Sequence, residues 1–349
     1  MSNTDLSPEV NIKVKKNLLR LFIFAVIMIF AGLTSAYIVS QGGNFWVHIK
    51  MPAGFQWSSV LIVLSSLFLF VAVYAVKRSK QQLLKAALGV AVVCGILFGY
   101  FQFKAFSQLF ESGNTLTGSI MVTNGRYGNY FTLTYAGKQI SFKDGTYYWK
   151  GEPLSEDIHQ KMRDFGKELE RGGRSRKNQF DFNNYGEGFM LVYENHPVTY
   201  SNGKLFVDNQ PFDAEKLRQA YEFGENLAND RGDFIMQGEY GEDFWIYYNG
   251  QKLEYENRQF YIKGKEISPK MENDIFGAGN TASSFIYVFA GMHLLHWIGG
   301  IIALLVVFIR SLKEAYTGDN YLGLTLGATY WHFLGILWLY LYGFLIFIH

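Results

Sequence analysis

The chain has 349 residues, a formal net charge of +2 and a mean hydropathy near zero, and these averages conceal two unlike parts. Residues 111–274 hold 46 of the 62 charged residues (20 basic, 26 acidic), whereas the remainder holds 12 basic and 4 acidic. This division excludes a single soluble domain and reads as a membrane part interrupted by an aqueous one. The single cysteine, Cys94, excludes an intrachain disulfide and a thiolate metal cluster. No nucleic-acid partner is expected.

Five segments are long and apolar enough to cross a bilayer, which takes about 20 residues. They run roughly Leu18–Ser40, Trp57–Val76, Leu83–Phe106, Thr281–Ile309 and Tyr321–Ile348. Each is uncharged through its centre, as a helix in lipid requires. The first is too long for a signal-peptide core and reads as a retained span. Basic residues flank alternate ends: Lys13, Lys15, Lys16 and Arg20; Lys77, Arg78, Lys80 and Lys85; Arg310 and Lys313. The loop between the first two spans has only Lys50. The positive-inside rule places the N-terminus in the cytoplasm and the 107–280 insert and C-terminus outside.

The insert reads as three repeated units, near 127–171, 185–229 and 240–274. Tyr127-Gly128, Tyr185-Gly186 and Tyr240-Gly241 open them. Phe131, Phe189 and Phe244 then correspond, as do Tyr135, Tyr193 and Tyr248, and Phe142, Tyr200 and Tyr255. Alternating aromatic and polar residues around turns such as Lys143-Asp144-Gly145 and Ser201-Asn202-Gly203 predict hairpins. Ser155, Asp213 and Ser268 stand where helix N-caps belong, with Pro269 at a first helical position. Helices are predicted over 156–171 and 214–229, with a third from Pro269 leading to the fourth span. One such unit buries little alone, so the three are expected to pack together. Linkers at 172–177 and 229–232 join them.

No catalytic constellation stands out in the insert; His159 and His196 occupy unrelated positions of their units. A docking or covering module is expected, its acidic balance suiting a cationic partner. The fourth span carries Gly291-Met292-His293-Leu294-Leu295-His296, followed by Gly299-Gly300. The fifth carries Tyr330-Trp331-His332-Phe333 and Trp338-Leu339-Tyr340-Leu341-Tyr342. Imidazole suits haem or copper, and a His293–His332 pair could make a b-type membrane cytochrome. Against that stand the absence of a second pair and the frequent use of intramembrane polar residues as links between helices. His349 lies at a membrane face. No carboxylate sits mid-span, so proton conduction through this chain's own bundle is not expected.

These motifs in this order resemble subunit III of haem–copper cytochrome c oxidases. Gly291-x-His293-x-x-His296-x-x-Gly299 resembles one family signature. Tyr330-Trp331-His332-Phe333 with Trp338-Leu339 resembles a second, and Phe30-Ala31-Gly32-Leu33-x-x-Ala36-Tyr37 is similar to the family's first core span. The likeness covers about 1–110 and 280–349 and suits the short five-span form. It implies a five-helix all-α transmembrane bundle (1–110 and 275–349) with an inserted α+β extracytoplasmic domain of three repeats (111–274). It also implies an accessory role in a proton-pumping terminal oxidase, beside subunits I and II. This chain would have no catalytic, cofactor-binding or metal residue; haem and copper would reside in partner subunits, and phospholipid would bind the bundle. Gly32, Tyr37, Gly291, His293, His296, Gly299, Tyr330, Trp331, His332 and Trp338 are then expected at helix-packing, lipid or subunit contacts. The insert would dock a periplasmic cytochrome c or a neighbouring respiratory complex. A place in a quinol oxidase or nitric oxide reductase assembly is the alternative. Three positions depart from the family: Val26 and Thr325 replace carboxylates, and Gly335 an aspartate.

Overall fold

The computed structural model describes residues 8–42, 45–116, 118–120, 131–143, 146–174, 179–230, 234, 236, 238–256 and 259–349. The Tyr127-Gly128 opening, the 144–145 turn, and linker residues 175–177 and 231–232 lie outside the described residues. The chain forms two compact units, one of 1–118, 238–251 and 280–349, the other of 119–237 and 252–279.

Among the described residues, the first unit contains five apolar helices long enough to cross a membrane: α1 (Pro8–Gln41), α2 (Ala53–Lys77), α3 (Gln81–Glu111), α7 (Thr281–Leu312) and α8 (Leu322–Phe347). This is a multi-pass membrane protein. Four predicted spans fall inside these helices and the fifth, 321–348, overruns α8 by one residue at each end, because a backbone in hydrocarbon satisfies its own polar groups only by continuing the helix. At about 1.5 Å per residue, the 25-residue α2 already exceeds a bilayer core of about 30 Å. Between α3 and α7 the chain leaves and returns at neighbouring points. The Ser283 hydroxyl donates to the Thr115 carbonyl (2.6 Å) and the Tyr287 hydroxyl to that of Asn114 (2.8 Å).

One element of this unit was not predicted. Residues Phe45–Ile49, between α1 and α2, form a strand paired antiparallel with Phe244–Tyr248, in a register that sets Val47 opposite Ile246. Val47, Ile246 and Trp46 are buried. The sequence Phe-Trp-Val-His-Ile has strand propensity, and Phe244-Trp-Ile-Tyr-Tyr, likewise aromatic and β-branched, pairs with it over all five residues.

The second unit contains α4 (Glu156–Arg174), α5 (Ala214–Ala228), α6 (Pro269–Gly277) and short antiparallel strands. Asp213 caps α5 by accepting from the Lys216 amide (2.9 Å), and Ser268 caps α6 through Met271 (3.3 Å). Strands Phe131–Tyr135 and Phe189–Tyr193 pair at the centre of a six-stranded sheet, with Leu133 opposite Leu191. One apolar cluster, from Phe131 to Leu227, gathers the first two segments of the insert. The third segment is divided: strand Phe244–Tyr248 lies in the first unit beside Phe45–Ile49, and residues 252–279 lie in the second. An exposed strand edge takes whichever alternating partner the chain brings to it. Helices α4 and α5 approach closely because glycines face each other: a Cβ on Gly166 would stand 2.7 Å from the Ala228 nitrogen, and one on Gly224 2.6 Å from that of Glu170.

Candidate functional site

His293 and Trp297 of α7 and Trp331 and Trp338 of α8 converge on the seam these helices make with α2 and α3. The seam is built by small residues on α3: Ala87, Ala91, Gly95 and Gly99 recur every fourth position and are all buried. Spacing of four puts them on one face, where neighbouring helices can approach or a large side chain can lie flat. Trp331 and Trp297 exploit this. A Cβ on Gly95 would come within 2.8 Å of the Trp331 ring, and one on Gly99 within 2.4 Å of Trp297. Gly300 completes the Trp331 seat from α7, its hypothetical Cβ 3.3 Å from the indole. The Trp297 indole donates to the Gly95 carbonyl (3.0 Å).

His293 is fully buried, and its Nε2–H donates to the Leu334 carbonyl of α8 (3.0 Å). Phe98 and Trp338 pack on its ring at 5.7 and 5.2 Å. Trp338 extends the seam to α2 by donating to the Ser59 hydroxyl (2.9 Å), while Gln102 donates to Ser58 (3.0 Å). His296 donates from Nδ1 to its own helix at Met292 (2.7 Å) and sits 6.0 Å from Phe30 of α1. The Tyr330 hydroxyl donates to the His296 carbonyl (3.2 Å), and its ring lies 5.7 Å from Phe22. His332 takes a different seam, stacking on Phe70 of α2 at 4.1 Å. His293 Nε2 is thus committed to a backbone carbonyl, its Nδ1 is buried without a partner, and His293 and His332 have separate neighbours. Among the described residues, no group of three or more His, Cys, Asp or Glu side chains gathers as for a metal ion.

Tyr37 lies at one end of the bundle in a cluster that sequence reasoning did not assemble. Its hydroxyl is 2.6 Å from His349 Nδ1, and the Ile49 amide donates to His349 Nε2 (2.8 Å). Since Nε2 accepts, Nδ1 carries the proton and donates to Tyr37. Trp46 packs edge-on against Tyr37 at 4.9 Å, and His48 lies 5.0 Å from His349. Burial holds the His349 imidazole neutral, lowering its pKa to about 3. Thus the residue after α8 ties α1 to the Phe45–Ile49 strand. His48 and Trp46 gave no signal beyond their place in a short loop.

Gly32, Gly291 and Gly299 behave differently. Beyond their own stretch of helix, no atom lies within 4 Å of where their Cβ would be. Gly299 shares an outward face of α7 with the exposed Leu295, Ile298 and Ile302. In the second unit, His159 pairs with Asp230 (2.7 Å), which Arg163 also engages (2.8 Å), and His196 pairs with Asp208 (3.0 Å).

Residues 246–349 match the family described as cytochrome c oxidase subunit III. The matched stretch runs through α6, α7 and α8 and contains both histidine motifs; the similarity read around Gly32 and Tyr37 lies outside it. Among curated proteins, the chain is similar to cytochrome c oxidase subunit 3 of Hippopotamus amphibius, with 44% identity over 59 residues, 17% of this chain and 23% of that protein. It is likewise 44% identical over 77 residues to the subunit of Loxodonta africana, covering 22% and 27%. For Equus caballus the identity is 42% over 59 residues, covering 17% and 23%. The similarity spans about a quarter of the length of these relatives.

Proposed function

We propose, from the match of residues 246–349 to the cytochrome c oxidase subunit III family, that the chain is a non-catalytic subunit III of a proton-pumping terminal oxidase. It stabilises the haem- and copper-bearing subunit I, with subunit II as a further neighbour. The observation that carries this reading is His293: its Nε2 is spent on the Leu334 carbonyl between two helices, and its ring is walled in by Phe98 and Trp338. An imidazole used this way is a packing element of a scaffold.

The outward face of α7 is the contact with subunit I. Gly291 and Gly299 leave their backbone open, so a partner helix can approach closely between Leu295 and Ile302. Gly32 does the same on α1. Phospholipid fills what remains of the apolar surface. The N-terminus is cytoplasmic in a bacterial plasma membrane, and the insert is periplasmic. The insert is a threefold repeat in which strands Phe131–Tyr135, Phe189–Tyr193 and Phe244–Tyr248 are equivalent, and it docks a periplasmic partner of the oxidase.

The test is gentle purification of the tagged full chain from its native membrane, with a reduced-minus-oxidised spectrum and a subunit inventory. Haem and copper arriving with larger chains, and lost when those chains are stripped away, support the reading. Haem retained by this chain alone overturns it.

A further inference from the structure

In the second unit, a cavity of about 550 Å³ lies between the C-terminal end of α4 and the first two turns of α5. Ligand sites commonly measure about 300–1,000 Å³. The two helices meet here on a glycine: a Cβ on Gly173 would stand 2.9 Å from both the Leu217 carbonyl and the Tyr221 Cβ. The buried Phe212 and Leu217 give the cavity an apolar floor, and Arg174, Arg218 and Tyr221 line it above them. Among the described residues, no carboxylate lines it.

The ion pairs of these helices single out Arg174. On α4, Lys161 pairs with Asp157, Arg163 with Glu156 and Asp230, Lys167 with Asp164, and Arg171 with Glu168. On α5, Lys216 pairs with Asp213 and Arg218 with Glu222. Arg174 has no hydrogen-bond or ion-pair partner among the described residues, and it faces the same cavity as Arg218. A free guanidinium offers two parallel N–H groups to one carboxylate. With Arg218 already shared with Glu222, the site holds too little charge for a phosphate dianion. The cavity opens to solvent, so a small free acid would leave much of its surface in water, whereas a chain segment crossing it covers the apolar floor as well. The positive charge is local and opposite to the balance of residues 111–274, which hold 20 basic and 26 acidic residues.

We propose that this cavity receives an acidic peptide segment of the partner protein, an Asp or Glu carboxylate on Arg174 and an adjoining apolar side chain on Phe212 and Leu217. The proposal rests on the docking role proposed above for the insert and names the chemistry of what docks.

The test places a photoreactive benzoylphenylalanine at Ala214, exposed at the cavity, or at Gln139, exposed on the sheet, in the full chain in its native membrane. Cross-linked peptides are identified by mass spectrometry. The Ala214 probe is expected to join an extramembrane segment of a co-purifying protein within a few residues of an Asp or Glu. Arg174 is exposed and unpaired, so its substitution leaves the packing intact. Arg174→Gln should lower that cross-link about three- to tenfold, between the worth of an exposed ion pair and that of a charge-assisted hydrogen bond. Arg174→Glu should abolish it, and replacing the partner's acid by lysine should restore it in that background. Partner cross-links from Gln139 with none from Ala214, lipid or self adducts alone at Ala214, or insensitivity to Arg174→Glu overturns the cavity inference and leaves the docking role standing. Silence at both probes overturns the docking role and the cavity inference with it.

Discussion

Replacing Gly99 by alanine tests the seam most directly. The new Cβ would stand 2.4 Å from the Trp297 ring, where carbon atoms normally sit about 3.5–4.0 Å apart, so the indole must move by more than about 1 Å. The indole is tethered by its 3.0 Å hydrogen bond to the Gly95 carbonyl, and a displacement of that size takes the bond beyond its useful range. Overpacking costs about 1–3 kcal/mol, and an intramembrane hydrogen bond is worth about 0.6–1.7 kcal/mol. The expected destabilisation is therefore about 2–4 kcal/mol, read from reversible unfolding of the full chain in lipid bicelles. Gly291→Ala, with nothing within 4 Å, should change stability by less than about 0.5 kcal/mol in the same assay. Trp297→Leu removes the obstacle, so Gly99→Ala should add almost nothing in that background. A neutral Gly99→Ala, or strict additivity with Trp297→Leu, would refute the reasoning.

Three further outcomes are expected. Trp338→Phe and Ser59→Ala should each cost about 1 kcal/mol and couple to one another in a double-mutant cycle, since they share one hydrogen bond. The buried His349 is neutral when folded, with a pKa near 3, while the unfolded chain takes up its proton near pH 6.5. Its contribution is thus fully present above pH 6.5 and lost as pH falls towards 3; His349→Phe should remove that part of the acid sensitivity and speed hydrogen exchange at the Ile49 amide. In the second unit, Gly224→Leu should force α4 and α5 apart against backbone atoms, seen as faster limited proteolysis within 156–228 of the full chain.

Hydropathy and charge suffice to locate all five spans, because a helix in lipid must be long, apolar and unbroken wherever it packs. Capping chemistry likewise marks Asp213 and Ser268, since the bonds that start a helix are local. The histidine motifs are visible as sequence, but their use is not. Which residue of α8 arrives beside His293 is set only by the packing, and it is Leu334, whose carbonyl accepts from Nε2. The four-residue spacing of Ala87, Ala91, Gly95 and Gly99 is legible in the sequence, although the two tryptophans it receives are identified only in three dimensions. Partner choice in sheets escaped the sequence for a physical reason: alternation specifies a strand and its buried face but not its neighbour. Phe244–Tyr248 could have joined the other insert strands and instead pairs with Phe45–Ile49, where His349 closes the contact from the far end of the chain.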